Sequence, residues 1–167
     1  MTDDALRELL DKQALYELCV RLCRAVDRAD VELFLSCYHA DAFDDHGTFR
    51  GSPVDFAEYM QKGTLNPEIQ VGPVQHSLTN AIFDIQGDVA YGESYCDVRR
   101  TLADGTIRRD IGRYVDRYER RDGEWRIAHR RVLSESPAHG YDTSDFIPSR
   151  RNRDDISYDR QPVPTDR

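Results

Sequence analysis

The chain has 167 residues, 39% hydrophobic and 32% charged, which suits one globular domain with a modest core. A formal net charge of −8 and a pI near 5.1 argue against nucleic acid as a partner, because phosphate binding relies on clustered Lys and Arg. No apolar run approaches the ~20 residues needed to cross a bilayer. The acidic start MTDDALRELL lacks the basic region of a signal peptide, so no membrane partner is expected and the expected location is cytoplasmic.

From Leu6, the apolar residues Leu9, Leu10, Leu15, Leu18, Cys19, Leu22, Cys23 and Val26 recur at helical spacing. They predict one long amphipathic helix to about Asp27. Asp30 is a suitable N-cap for a second helix carrying Leu33, Phe34, Cys37 and Tyr38. A short strand is expected around residues 42–49. Ser52-Pro53, an N-cap followed by proline at the first helical position, opens a third helix with Phe56, Tyr59 and Met60.

The punctuation then changes. Gln86-Gly87-Asp88, Asp104-Gly105 and Asp122-Gly123 separate β-favouring runs near 74–85, 89–102, 106–120 and 124–135, and Asp-Gly is a strong tight-turn signal. Helices followed by an antiparallel meander, with a sheet of five or six strands once 42–49 is added, make the class α+β. This unit takes up residues 1–135. Residues 136–167, rich in Pro, Arg and Asp and without periodicity, read as an extended C-terminal arm or tail. Its aromatics Tyr141, Phe146 and Tyr158 exceed what a solvated tail needs, and packing on the body or on a neighbouring subunit would use them.

Four cysteines, Cys19, Cys23, Cys37 and Cys96, show no CxxC spacing and read as small buried hydrophobes rather than disulfide partners or zinc ligands. Nucleophile-elbow, P-loop, dinucleotide and HExxH motifs do not occur, which leaves cofactor-free proton chemistry. Asp27 closes the first helix near its apolar stripe, where the macrodipole disfavours a carboxylate and a partner is needed. His76, in VQHSLTN at the start of the first long strand, carries the side chain suited to proton transfer near neutral pH. A carboxylate bonded to it would fix its tautomer. On the last strand, alternation groups Arg126, Ala128 and Arg130 on one face and Trp125, Ile127, His129 and Arg131 on the other, and an arginine facing a pocket would stabilise a developing anion.

The segment AFDDHG, with His39 and Asp41 just before it, has the composition of a metal site. Strand alternation splits it, with Asp44 and His46 on one face and Phe43 and Asp45 on the other, while His39 and Asp41 fall at the end of the second helix and the following turn. No metal is expected.

A long helix ending in VDRAD, a second helix reaching YHADA-DDHGTFRG, a Ser-Pro helix, a strand opening QHSLTN and the strand pair YVDRYERRDGEWRIAHRR together resemble the SnoaL-like branch of the nuclear-transport-factor-2-like superfamily. The resemblance covers roughly residues 5–135 and is firmest in the closing strand pair. It implies a cone-shaped α+β barrel of cystatin-like type, in which a curved mixed sheet and three N-terminal helices enclose an apolar cavity. Within the family the chain looks most like the lyase group of scytalone dehydratase, hexachlorocyclohexane dehydrochlorinase and bile-acid 7α-dehydratase, which use no cofactor and a histidine held by an aspartate.

Carried over by residue, the resemblance makes Asp27 and His76 the catalytic dyad. Arg130 is the last-strand arginine, with Arg131 in its place if a bulge shifts the register. It also places Asp44 and His46 on the cavity wall. The first-helix tyrosine of some dehydratases meets Leu22 and Cys23 here, leaving Tyr16, Tyr95 or Asp97 as substitutes. The implied activity is β-elimination, most simply of water, from a small hydrophobic cyclic or aromatic substrate. Isomerisation, retro-aldol loss of formaldehyde and a non-catalytic binding module are the alternatives, since the fold alone does not choose. Relatives are commonly trimers or dimers, so a homo-oligomer is expected.

Overall fold

The computed structural model describes residues 2–63, 72–136 and 143–160. Helix α1 (Asp3–Asp27) is capped by Thr2, and α2 (Val31–Ser36) by Asp30, whose carboxylate accepts from the Leu33 amide at 3.0 Å. Helix α3 (Pro53–Gln61) starts at Ser52, whose hydroxyl accepts from the Asp55 amide at 3.1 Å, satisfying a donor that the first turn leaves free. Strand β1 spans Tyr38–Asp45 and β2 is the two-residue Arg50–Gly51. The long strands are β3 (Val74–Gln86), β4 (Val89–Thr101), β5 (Ile107–Arg121) and β6 (Glu124–Ser136).

Two boundaries differ from the sequence reading. The second helix stops at Ser36, and Tyr38, His39 and Asp41 belong to β1. The apolar spacing of Phe34, Cys37 and Tyr38 mimics a continuing helix, but the backbone of Cys37 instead accepts from the Ile127 amide at 2.9 Å and starts the pairing with β6. His39 bonds the Glu119 carbonyl and Asp41 pairs with Arg121, so neither forms part of a metal-like cluster.

The sheet has six strands in the order β2-β1-β6-β5-β4-β3, antiparallel except for the parallel pair β1–β6. It is curled but unclosed. Its bend has local causes, because an extra residue on one strand of a pair sharpens twist and curvature. Register shifts occur between Thr79 and Ile82 on β3, where Asn80 has φ 47°, and at two places in the β5–β6 pair. At the tip of that hairpin Asp122 and Gly123 both have positive φ, as a two-residue primed turn requires.

The helices cover the concave face. Leu15, Leu18, Cys19 and Leu22 of α1 pack with Phe34, Phe56, Tyr118, Trp125 and Ile127 in one buried cluster. All four cysteines are buried and unbridged. A second cluster, Val74, Cys96, Val98, Tyr114 and Val132, lies along the same face, with Phe146 packed against it.

Part of the C-terminal segment lies on the body. Arg50 donates to the Asp145 carbonyl, and the Phe146 ring sits against Gly47. Further on, Asp155 is 4% exposed and receives a fork from Arg113 at 2.9 and 2.8 Å. A 3-10 turn (Ile156–Tyr158) and Asp159, paired with Arg131, continue across the outer face of the sheet. Tyr158 is exposed, and Tyr141 lies outside the described residues.

Candidate active site

A cavity of about 230 Å3 lies between the helices and the concave face of the sheet, lined by side chains from all three helices and from β3 to β6. Leu22 and Cys23 reach it from α1, and Phe56 and Met60 reach it from α3.

His76 lies on its wall, two residues into β3. Its Nδ1 is 2.6 Å from Oδ1 of Asp27, and its own backbone amide donates to the same carboxylate at 3.0 and 3.1 Å. An ionised carboxylate only accepts, so Nδ1 carries the hydrogen and Nε2 is left with a lone pair when the ring is neutral. Nε2 makes no hydrogen bond to a described residue. The packing of α1 on β3 sets this pair, because the last residue of the helix meets the start of the strand. Both side chains are nearly buried, at 12% and 13% exposure. They also border an outer groove between α1 and β3 that contains Arg24 and Arg28.

Arg130 lines the cavity and is itself held. Its Nε and Nη2 donate to the two oxygens of Asp116 at 2.9 and 2.7 Å, and its guanidinium lies 4.1 Å from the centre of the Tyr114 ring. Tyr118 donates to Asp116 at 2.8 Å, and the Cys19 sulfur lies 3.1 Å from the Tyr118 oxygen. The strict alternation expected along β6 fails here. Tyr118 faces Ile127 but Arg117 faces His129, so Ala128 is an extra residue. This bulge places Trp125 and Ile127 in the same interior as Arg130 rather than opposite it. Arg131 turns outward to Asp159.

Asp44 is fully buried and lies behind the cavity wall rather than on it. Tyr38 donates to its Oδ2 at 2.6 Å, and Nδ1 of His46 bonds its Oδ1. Burial by itself would raise the Asp44 carboxyl, but the neighbouring His46 and Arg130 and the bonds from His46 and Tyr38 outweigh it and hold Asp44 below its ordinary value. His46 lines the cavity, with its ring 4.2 Å from that of Phe56. Asp45 turns away to bond the Gly47 amide and pair with Arg50.

Three expected residues are placed elsewhere. Along β4 the inward positions are Ala90, Ser94, Cys96 and Val98, and Tyr95 and Asp97 stand on the opposite face. Tyr95 lies under Arg113, and Asp97 is held by Arg109 at 2.6 Å. Tyr16 is exposed on the outer groove. The cavity wall instead carries Thr48, Ser134 and the exposed Tyr59, besides the buried pair Tyr38 and Tyr114. Burial pushes both well above the ordinary tyrosine value, so they stay protonated donors. Alternation along β5 through Tyr114, Asp116 and Tyr118 was the available sign of this polar row, and Phe146 was signalled only as an aromatic in a polar arm. Among the described residues, no group of three or more His, Cys, Asp or Glu side chains is arranged to hold a metal.

No curated protein matches the chain. Solved structures do, among them a variant of Rv3472, a protein of unknown function from Mycobacterium tuberculosis. It is 27% identical over 78% of this chain and 75% of its own, with a TM-score of 0.65. Hexachlorocyclohexane dehydrochlorinase LinA-type3 from Novosphingobium barchaimii is 20% identical over 86% and 99% of the two chains, with a TM-score of 0.68. A putative scytalone dehydratase from Novosphingobium aromaticivorans is 15% identical over 84% and 94%, with a TM-score of 0.72. The last two identities speak to the fold alone. The SnoaL-like domain profile matches residues 7–131, and on that match the chain belongs to the SnoaL-like family of the nuclear-transport-factor-2-like superfamily.

Proposed function

We propose that the protein is a cofactor-independent lyase acting by β-elimination on a small cyclic substrate. The observation that carries this reading is the 2.6 Å bond from His76 to Asp27 at the wall of a mainly apolar cavity. Asp27, fixed by the His76 amide as well as the ring, holds Nδ1–H, so Nε2 is the basic atom. It removes a proton from carbon, and Asp27 stabilises the imidazolium that forms. The outer groove gives that proton a route to solvent. A general base of this kind supplies ~10²–10⁴-fold, and positioning in the cavity supplies more. The volume of about 230 Å3 lies below the usual ~300–1,000 Å3 of drug-sized sites, which favours a one-ring substrate over a steroid. The unit formed by residues 1–135 carries the chemistry, and a cytoplasmic homo-oligomer is part of the same reading.

The test is turnover of small hydroxylated cyclic ketones, read by mass spectrometry. Loss of water supports the lyase; an unchanged mass with solvent deuterium incorporated indicates an isomerase, and loss of formaldehyde a retro-aldol lyase. His76→Ala and Asp27→Asn should each lower turnover at least ~10²-fold while thermal unfolding stays near wild type. Unfolding of both variants in parallel with activity would sink the dyad. Tight binding with no turnover would support a binding module.

A further inference from the structure

The cavity has a charged mouth as well as an apolar interior. On its concave face the sheet sets side chains in rows across β3, β4 and β5: Leu78 beside Cys96 and Gly112, His76 beside Val98 and Asp110, and Val74 beside Arg100 and Arg108. Arg100 therefore stands one row from His76, its diagonal neighbour on the same face, a spacing of about 7–8 Å. Arg100 and Asp110 both line the cavity.

Arg100 and Arg108 are directly opposed on adjacent strands, where like charges repel. Asp110 holds them unequally. Nε and Nη2 of Arg108 reach its two oxygens at 3.1 and 3.3 Å, whereas Arg100 has a single bond to it, from Nη2 at 3.2 Å. A guanidinium carries five N–H groups, so most of those on Arg100 are unused. Its Nε is enclosed without an acceptor, which is costly, and its Nη1 makes no hydrogen bond to a described residue. The other arginines nearby are complete. Arg130, deeper in the cavity, is 4% exposed and gives Nε and Nη2 to Asp116. On the outer face of the same two strands Arg99 and Arg109 are opposed in the same way, but they share Asp97 and are each 56% exposed, so water completes them. Arg100, at 27% exposure, is neither sealed into a pair nor freely solvated.

We propose that Arg100 anchors a carboxylate on the substrate, so that the cavity takes an anionic ring compound with its charge at the mouth and its ring among Leu22, Phe56, Met60 and Val132. The proposal rests on the reading of this cavity as the place where substrate binds. A carboxylate there completes the Arg100 fork with two parallel N–H bonds, the arrangement a guanidinium matches best, and relieves the repulsion between Arg100 and Arg108. In a chain of net charge −8, opposed arginines at a cavity mouth draw an anion to that point. Anchoring one end of the ring a row away from His76 also fixes which ring carbon faces the base.

Benzoate and benzamide have the same shape and differ in charge, and calorimetric titration of the full chain with each reads the anchor directly. At low ionic strength the wild type should bind benzoate at least ~10-fold more tightly than benzamide, and added salt should narrow the gap. Arg100→Gln and Arg100→Met, each checked for folding by thermal denaturation, should bring the two affinities together. Arg99→Gln removes the same charge from the outer face and should leave the preference intact, as should His76→Ala. Wild-type protein that binds benzoate no better than benzamide, or binds neither, overturns the anchor, as does a preference that survives in the Arg100 variants or vanishes equally in Arg99→Gln. The elimination reading fails separately: a benzoate preference lost with Arg100, in a protein that turns over none of the ketones, leaves Arg100 as the anchor of a binding site and removes the lyase.

Discussion

Replacing Asp116 by Asn isolates the charge that holds Arg130, because shape is kept and one carboxylate oxygen becomes an NH2 facing the guanidinium. In the native chain both side chains are essentially sealed, at 4% and 1% exposure, and joined by two bonds of 2.9 and 2.7 Å. An exposed pair is worth under ~1 kcal/mol, but breaking a buried pair by removing one partner costs about 3–5 kcal/mol because the remaining charge stays desolvated. Tyr118 loses its best acceptor in the same substitution. Set against a total stability of roughly 5–15 kcal/mol, this is a large fraction. With a urea slope of about 2 kcal/mol/M, a loss of 4 kcal/mol lowers the midpoint by about 2 M. The double variant Asp116→Leu/Arg130→Met removes both charges and should recover more than half of that loss. A midpoint shift below about 0.5 M for the single variant, on the same slope, would refute the account of a sealed, mutually dependent pair. So would a double variant no more stable than the single one.

Gly47 has φ +71°, and a Cβ there would come within 2.6 Å of the Phe146 ring. Gly47→Ala should therefore cost ~1–2 kcal/mol from backbone strain alone and expel Phe146, measurable as faster hydrogen exchange around residue 146 than in the wild type. Asp155 is a pH-sensitive anchor. Burial alone would raise its carboxyl, but the Arg113 fork and the Arg150 and Ser157 amides outweigh it and hold it well below the usual carboxylate range. A depressed acid stabilises the folded arm fully above its unfolded value of ~3.9 and loses that contribution as pH falls through the folded one. The arm should accordingly stay docked at mildly acidic pH. Asp155→Asn should release it at neutral pH, seen as rapid tryptic cleavage after Arg150, Arg151 and Arg153; cleavage at the wild-type rate would count against the anchor.

Much of the fold could be read from local signals. The Asp-Gly pairs fixed the hairpins, and the 3–4 spacing of leucines and cysteines in α1 carried the helix to Asp27, where the strand bearing His76 meets it. What escaped was non-local or irregular. Tyr38 continues a helical spacing but is captured by β6, a partner almost ninety residues further on. The bulge at Ala128 has no glycine or proline to mark it, and it alone decides which arginine faces inward. Tyr95 and Asp97 fall outside because the buried small residues Ala90 and Cys96 hold the other face of β4 inward, which the residue types alone do not signal. The Asp44–His46 pair was legible as a shared face, but the Asp116–Arg130 pair was not, since Asp116 comes from β5.

The position of β6 also bears on how the molecule is made. It is the last long strand to leave the ribosome, yet it sits between β1 and β5 and supplies Arg130. Until it inserts, β1 has no neighbour but the two-residue β2, and the three earlier long strands form a meander with an open edge. Closing that gap joins segments far apart in the chain, the kind of contact that slows folding. A nascent or prematurely ended chain therefore exposes a sticky sheet edge while possessing only half a cavity, and its vulnerability to aggregation is set by how long it waits for those thirteen residues.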